Sequence, residues 1–259
     1  MMIELTITLV KILFILAITV GFFAPILTWV ERKQSAVMQD RIGANRADIL
    51  GFTALGLFHA IADAVKMFTK EDFIPDGANR FLHTLSPIIA VIPAILTFAV
   101  IPFGGQYELW GQDVNLVISD LDVGLLFVFA IASLATYGYV VSGWASNNNW
   151  SLLGSMRTAS QMISYEVTMG LTIIGVLMVY GTMRLTEIGA LQEDILNWGI
   201  FLQPVGFFMF FAASIAENKR IPFDAPEAES ELVAGYFTEY SGLKFGMFFM
   251  AEFIEMVSI

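Results

Sequence analysis

The sequence predicts an all-α fold, a polytopic membrane helix bundle with about six spans visible, and three observations carry that expectation. Apolar runs long enough to cross a bilayer recur along the chain. Charged residues make up only 14% of the 259 positions, against 57% hydrophobic. The few Lys and Arg fall mainly into alternate loops. A soluble domain of this size carries roughly 25% charged residues, whereas the mean hydropathy here is +0.72. Surface this apolar has to face something other than water.

A span needs about 20 mostly apolar residues to cover the hydrocarbon thickness. Five full candidates are residues 5–30, 85–103, 123–145, 159–182 and 198–216. A sixth begins near Phe245 and is still running at Ile259. A helix ending in mid-membrane would leave bare carbonyls in lipid, so the 259 residues read as one membrane domain of a longer protein. The first span is too long for a cleavable signal, and Trp29-Val30-Glu31-Arg32-Lys33 offers no small-residue cleavage site. Pro87, Pro93 and Pro102 fall in the second span and predict a kink.

Orientation follows from the basic residues in the loops. The loop after span 1, residues 31–84, carries Arg32, Lys33, Arg41, Arg46, Lys66, Lys70 and Arg80. The loop after span 3 carries Arg157, and the loop of residues 217–244 carries Lys219, Arg220 and Lys244. The opposite side has Arg184, with Lys11 inside span 1. Odd-numbered loops are therefore expected in the cytoplasm and the N-terminus outside. The outer loops, residues 104–122 and 183–197, are short, acidic and carry no recognisable chemistry.

Composition also excludes whole classes of function. The chain has no cysteine, which removes disulfides, iron–sulfur clusters and zinc–thiolate sites. His59 and His83 are too few and too isolated for a haem or metal centre. No Gly-rich phosphate loop follows a strand. Any redox centre would lie on another chain. The net charge of −11 leaves no basic stripe for nucleic acid.

Function is expected in the cytoplasmic loops. Within residues 51–68, His59, Asp63 and Lys66 stand at i, i+4 and i+7, which places them on one face of a helix. Phe52, Leu55, Phe58, Ala62 and Val65 cover other directions. The plain reading is an amphipathic helix at the membrane surface with a wet polar face. The sharper one is that this face lines a polar tunnel at the membrane boundary. The loop near residues 217–231 places Asp224, Glu227, Glu229 and Glu231 within eight residues, with Glu217 upstream. Crowding and partial desolvation raise carboxylate pKa values. On one helix, Glu227 and Glu231 would share a face and repel. The plain reading is a solvated acidic loop; the sharper one is proton handling, a basic partner or a cation. Glu166 lies within span 4, where an ionisable group costs several kcal/mol unless neutral, hydrated or paired. Glu252 and Glu255 make a second such case in the last span.

Several runs together resemble one family. They are Glu31-Arg32-Lys33, Arg41-Ile42-Gly43-Ala44-Asn45-Arg46, residues 56–66, Gly143-Trp144-Ala145-Ser146-Asn147-Asn148-Asn149 leading to Arg157, Gln161-Met162-Ile163-Ser164-Tyr165-Glu166, residues 216–224, residues 226–235, and Phe237-Thr238-Glu239-Tyr240-Ser241. In this order they resemble the quinone-site membrane subunit of proton-pumping NADH:quinone oxidoreductase, respiratory complex I. Ala44 stands where that family commonly has Pro, and His59 where Gln is frequent. The resemblance implies about eight spans in the full-length family and a bacterial plasma (inner) membrane location. It implies quinone as substrate, with iron–sulfur clusters and FMN held on partner subunits. Those partners would be cluster-bearing hydrophilic subunits, small membrane subunits and antiporter-like subunits, with lipid around the bundle. It further implies a quinone tunnel at Glu31, Arg32, Arg41, Arg46, His59, Asp63, Lys66, Phe223, Asp224 and Tyr240. The implied proton path uses Glu166, Glu217, Glu227, Glu229, Glu231 and Glu239. Three rival readings are the equivalent subunit of an energy-converting hydrogenase, a stand-alone proton-coupled transporter built on Glu166, and a purely structural anchor.

Overall fold

The computed structural model describes residues 2–109 and 112–258, and among them helices dominate as the sequence predicts. α1 (Met2–Ile18) runs through a single π-helical turn, Thr19–Phe23, into α2 (Ala24–Met38). α3 (Phe58–Thr69) is followed by α4 (Arg80–Leu96), α5 (Gly124–Ala145) and α6 (Asn149–Tyr180). α7 (Leu185–Leu191), α8 (Gly199–Leu202), α9 (Pro204–Glu217), α10 (Glu229–Leu232) and α11 (Gly242–Ser258) complete the order. Among the described residues, four helical segments are long and apolar enough to cross a bilayer: Leu5–Met38, Arg80–Ala99, Gly124–Ala145 and Asn149–Tyr180. α9 is a shorter apolar helix of 14 residues, which rises about 21 Å at 1.5 Å per residue. The chain is an integral membrane bundle.

Helix ends follow from local chemistry. Asn79 caps α4 by accepting from Leu82 N at 3.2 Å, and Asn148 caps α6 by accepting from Trp150 N at 2.9 Å. α6 stops at Gly181, whose φ of 71° is the left-handed cap that glycine adopts without strain. Pro204 stands in the first turn of α9, where its missing N–H costs nothing. The break before it is bridged by Gln203, whose amide donates to the Gly175 carbonyl of α6. The span expected over residues 198–216 is thus two helices.

Other boundaries move from their sequence positions. Glu31, Arg32 and Lys33, expected in a loop, lie on α2, which runs on to Met38. Good helix formers there carry the helix on past its apolar run. α6 likewise starts well before its expected apolar run. Pro87 and Pro93 are inside α4, but Pro102 lies beyond it. The surface helix begins at Phe58 rather than at residue 51, because the chain turns through positive φ at Leu50, Ala54 and Leu55. A two-stranded antiparallel pair, β1 (Gln106–Leu109) with β2 (Gln112–Asn115), lies between α4 and α5. Arg184 ties the segment after α6 to the one before α5 through Asp120 and Asp122, and pairs with Glu187 beside it. Lys11 donates to the Val117 carbonyl at 3.1 Å.

α4 packs on α5, α5 on α6, α6 on α9, and α11 on α4. The core gathers Tyr139, Tyr236, Tyr240, Phe248 and Ile254 with small residues such as Ala90 and Ala94. Large apolar side chains on the outside, among them Leu13, Phe14, Val167, Leu171, Phe208 and Phe211, are exposed. That inversion suits lipid, in which helices associate by close packing rather than by hydrophobic exclusion. At Gly138 a Cβ would lie 2.7 Å from the Ala90 backbone nitrogen, so α4 and α5 touch backbone to backbone. Gly170 faces open space. Gly138→Ala is expected to cost about 1–3 kcal/mol, whereas Gly170→Ala should be near neutral. Thermal denaturation of the detergent-solubilised protein checks both.

Candidate functional site

The Arg/Lys-rich end of the bundle carries two recesses that share a wall. The outermost, about 510 Å³, is lined by Glu31, Arg32, Arg41 and His59. α2 supplies Glu31 and Arg32 one helical residue apart. His59 lies in the first turn of α3, and its Nε2 accepts from the backbone N–H groups of both Arg46 (2.9 Å) and Ala47 (3.0 Å). The imidazole thereby holds the loop that frames the recess. Arg41 donates to Gln39 at 2.7 Å. Arg46 contributes its N–H here, while its side chain is exposed.

A second recess of about 260 Å³ is lined by Arg32, Asp63, Lys66, Tyr240 and Phe245. Arg32 belongs to both recesses. It pairs with Asp63 at 2.5 Å. Helical spacing sets Asp63 and Lys66 on one face of α3, and that face turns towards Arg32. The Tyr240 ring stacks on His83 at 4.0 Å, and its hydroxyl shares a hydrogen bond with Ser86 at 2.8 Å. Burial pushes the Tyr240 phenol up to about 12, so at neutral pH it keeps its proton.

Inward lies a set of buried charges. Arg220 reaches back to Glu31 at 3.2 Å and forward to Glu252 at 4.0 Å. Its guanidinium lies over the Phe253 ring, 4.6 Å from the centroid. Lys219 pairs with Glu252 at 3.2 Å, with side chains 0% and 4% exposed. The Tyr236 hydroxyl donates to Glu252, and burial first, then the Glu252 charge, pushes that phenol well up. Removing one partner of such a buried pair costs about 3–5 kcal/mol, because the other charge is left uncompensated. Tyr139 stands beside Lys219 and within 3.4 Å of Glu255. Glu217 and Glu255 line a third, mostly apolar cavity of about 430 Å³. Glu166 accepts from Ser133 of α5 and lines an apolar recess between α5 and α6.

The acidic run does not act as one surface. Glu231 points outward to Arg157 at 2.7 Å. Glu227 precedes α10 and turns inward, so the two do not share a helix face as the spacing suggests. Burial pushes the Glu227 carboxyl up to about 8, with Glu252 and Asp224 adding to it and Lys219 and Arg220 opposing. Glu229 heads α10, but its side chain lies outside the described residues. Glu239 accepts from Asn148 at 2.6 Å. Phe223 packs on Tyr165 of α6, and its carbonyl accepts from Gln161, so it lines neither outer recess. Sequence reasoning misses Lys219, Arg220, Tyr139 and Tyr236. Lys219 and Arg220 look like topology charges, and the tyrosines carry no signal. The available hint is two basic residues soon after Glu217, with acidic Glu252 in a later span.

Fold and site together define a polytopic membrane protein with a buried ion pair, Lys219 with Glu252, at one end of the bundle and large apolar side chains facing out. The family model of NADH dehydrogenase matches residues 10–259. A relative from Geobacter metallireducens, an NADH-quinone oxidoreductase subunit, is 48% identical over 248 residues, covering 96% of this chain and 72% of the relative. An NADH-quinone oxidoreductase subunit from Rhizobium meliloti is 45% identical over 259 residues, covering 100% and 76%. One from Flavobacterium psychrophilum is 48% identical over 229 residues, covering 88% and 65%. The chain belongs to the NADH dehydrogenase family.

The His59 contacts make a direct prediction. His59→Ala removes the acceptor for two N–H groups and should speed tryptic cleavage after Arg46 severalfold. His59→Gln keeps an acceptor oxygen and should cleave at close to the native rate. Timed proteolysis followed by mass spectrometry reads both.

Proposed function

We propose that this chain is the membrane subunit of a proton-translocating NADH:quinone oxidoreductase through which quinone reaches its reduction site. In this reading it also passes the consequence of that reduction into the membrane. The observation that carries the reading is the shared lining of the two outer recesses: Arg32 belongs to both, flanked by Glu31 on one side and by Asp63, Lys66 and Tyr240 on the other. A quinone has a polar headgroup and an apolar tail. Charged and phenolic groups suit the first, and Phe245 with the apolar side chains of α3 suits the second. Electrons would come from iron–sulfur clusters and FMN on hydrophilic partner subunits, since this chain has no cysteine to hold a cluster. Membrane subunits of the antiporter-like kind would receive the protonic signal. The Arg/Lys-rich loops would face the cytoplasm of a bacterial cell.

The coupling half of the reading rests on the inner charges. Reducing a quinone to the quinol takes two electrons and two protons, so negative charge develops at the headgroup until protons arrive. A negative charge near Arg32 would compete for that cation with Asp63, and near Glu31 would act on Arg220. Arg220 lies between Glu31 and Glu252, so the disturbance has a short route to the buried carboxylates Glu227, Glu255 and Glu217, and on to Glu166. At an effective dielectric of 20, unit charges 4 Å apart interact by about 4 kcal/mol, equal to about three pK units. That is ample to move a proton.

Two outcomes test the two halves. Asp63→Asn leaves Arg32 without its partner and should raise the KM for a water-soluble quinone analogue several-fold, with kcat less affected; unchanged kinetics would remove Asp63 from the tunnel. Glu227 carries its proton at pH 7 and loses it as pH rises through about 8. Activity that depends on the protonated form should therefore fall across pH 7.5–8.5 (roughly the titration window). Glu227→Gln cannot ionise and should lose that alkaline limb. An identical pH profile in the variant would take Glu227 out of the path.

A further inference from the structure

The coupling path proposed above needs something to fix where its proton resides, and the inference that follows rests on that path. Lys219 follows α9 closely, and its backbone takes a φ of 55°, the left-handed region that a non-glycine residue seldom adopts. That turn sends the side chain inward instead of out to water. The ammonium ends 3.2 Å from Glu252, 3.6 Å above the centre of the Tyr139 ring and 5.5 Å from that of Tyr236. Among the described residues it has no aligned hydrogen bond. It is held by charge and by the faces of two aromatic rings, which are attractive but weakly directional. A cation held in that way can change carboxylate partner without breaking a directed bond. Its other neighbours are acidic: its charge acts on Glu227, Glu217 and Glu255 as well as on Glu252. Arg220 is differently placed, since it is shared between Glu31 and Glu252.

We infer that Lys219 is a positioning residue for coupling: its ammonium, held between Glu252 and the Tyr139 and Tyr236 rings, decides which of the surrounding carboxylates carries the exchangeable proton. In the arrangement seen here it sits against Glu252, which also accepts from the Tyr236 hydroxyl, and leaves Glu227 as the protonated member. A disturbance arriving through Arg220 at Glu252 would draw Lys219 towards another carboxylate and release the proton held there. No bond other than O–H is made or broken, and Lys219 keeps its own proton throughout.

The test uses the whole complex in closed membrane vesicles, reading NADH-driven quinone reduction and proton uptake over a range of pH. Lys219→Gln removes the counter-charge, and Lys219→Arg keeps it. Lys219 opposes the upward push on Glu227, so its loss should move the alkaline limb of the activity profile to higher pH by about one unit. It should also lower protons moved per NADH by at least half. Lys219→Arg should restore the native limb. The double variant Lys219→Gln/Glu252→Gln leaves no orphan charge and guards against failed assembly; it should reduce quinone while translocating poorly. A native limb and native proton ratio in Lys219→Gln, or a native ratio in the double variant, would overturn the inference. If Glu227→Gln and Glu252→Gln are also silent, the coupling path itself fails. If they impair translocation while the Lys219 variants do not, only the role of Lys219 falls.

Discussion

The contact between the Lys219 ammonium and the Glu252 carboxylate sets the terms for the inner half of this structure, because neither charge has access to water. An isolated buried charge would neutralise or unfold its surroundings. Here each compensates the other, and the Tyr236 hydroxyl and Arg220 fill out the shell of Glu252. The segments that bring these groups together are the end of α9, the turn after it, the stretch before α11 and α11 itself. None of them would pack here without the others. Gly154 on α6 meets the backbone at Gly235, where a Cβ would lie 2.6 Å from the Gly235 Cα. That close approach lets Tyr236 lie deep enough to reach Glu252.

Lipid imposes the complementary constraint. Backbone groups in the hydrocarbon must be satisfied within helices, so the irregular stretches are gathered at the two ends of the bundle. At one end the β1–β2 pair and the Arg184 ion pairs close the loops. Those ion pairs are exposed and each is worth little; they act as a set. At the other end α2 and α6 extend beyond their apolar runs. Glu31, Arg32 and Arg157 therefore project from rigid helices rather than from loops. A recess lined from helices rather than from loops keeps its geometry when a ligand arrives.

The bundle is legible in the sequence because hydropathy and Lys/Arg spacing are one-dimensional signals. The 3.6-residue period also finds a helix there, and α3 carries His59, Asp63 and Lys66, although it is shorter than the apolar run around it. Arg46 and Phe223 read as tunnel groups from their motif, yet the Arg46 side chain is exposed and Phe223 packs towards α6. Motif membership does not specify direction. Lys219 is the opposite case. A basic residue at a loop edge looks like a topology marker, and only the left-handed turn at that residue sends it inward. Pairing between residues as far apart in the chain as Lys219 and Glu252 has no local signature. The acidic run fails as a unit for a similar reason: Glu227 and Glu231 are four apart, but the chain does not become helical until Glu229.

Charge accounting gives the inner cluster its chemical character. Glu217, Glu227, Glu252 and Glu255 sit inside with Lys219, and Arg220 is shared with Glu31 at the mouth. Four inner carboxylates against at most two cations cannot all be ionised away from water, since each uncompensated charge would carry a desolvation cost of several kcal/mol. Glu227, pushed up to about 8, is fitted to carry a proton at neutral pH. Strongly interacting groups of this kind titrate as a set rather than singly. A change in charge at any member redistributes protons over all of them. Arg220, touching both Glu31 and Glu252, makes the mouth a member of that set. A charge forming at the mouth and a proton held in the interior are then two parts of one electrostatic system, and no large movement of the chain is needed to connect them.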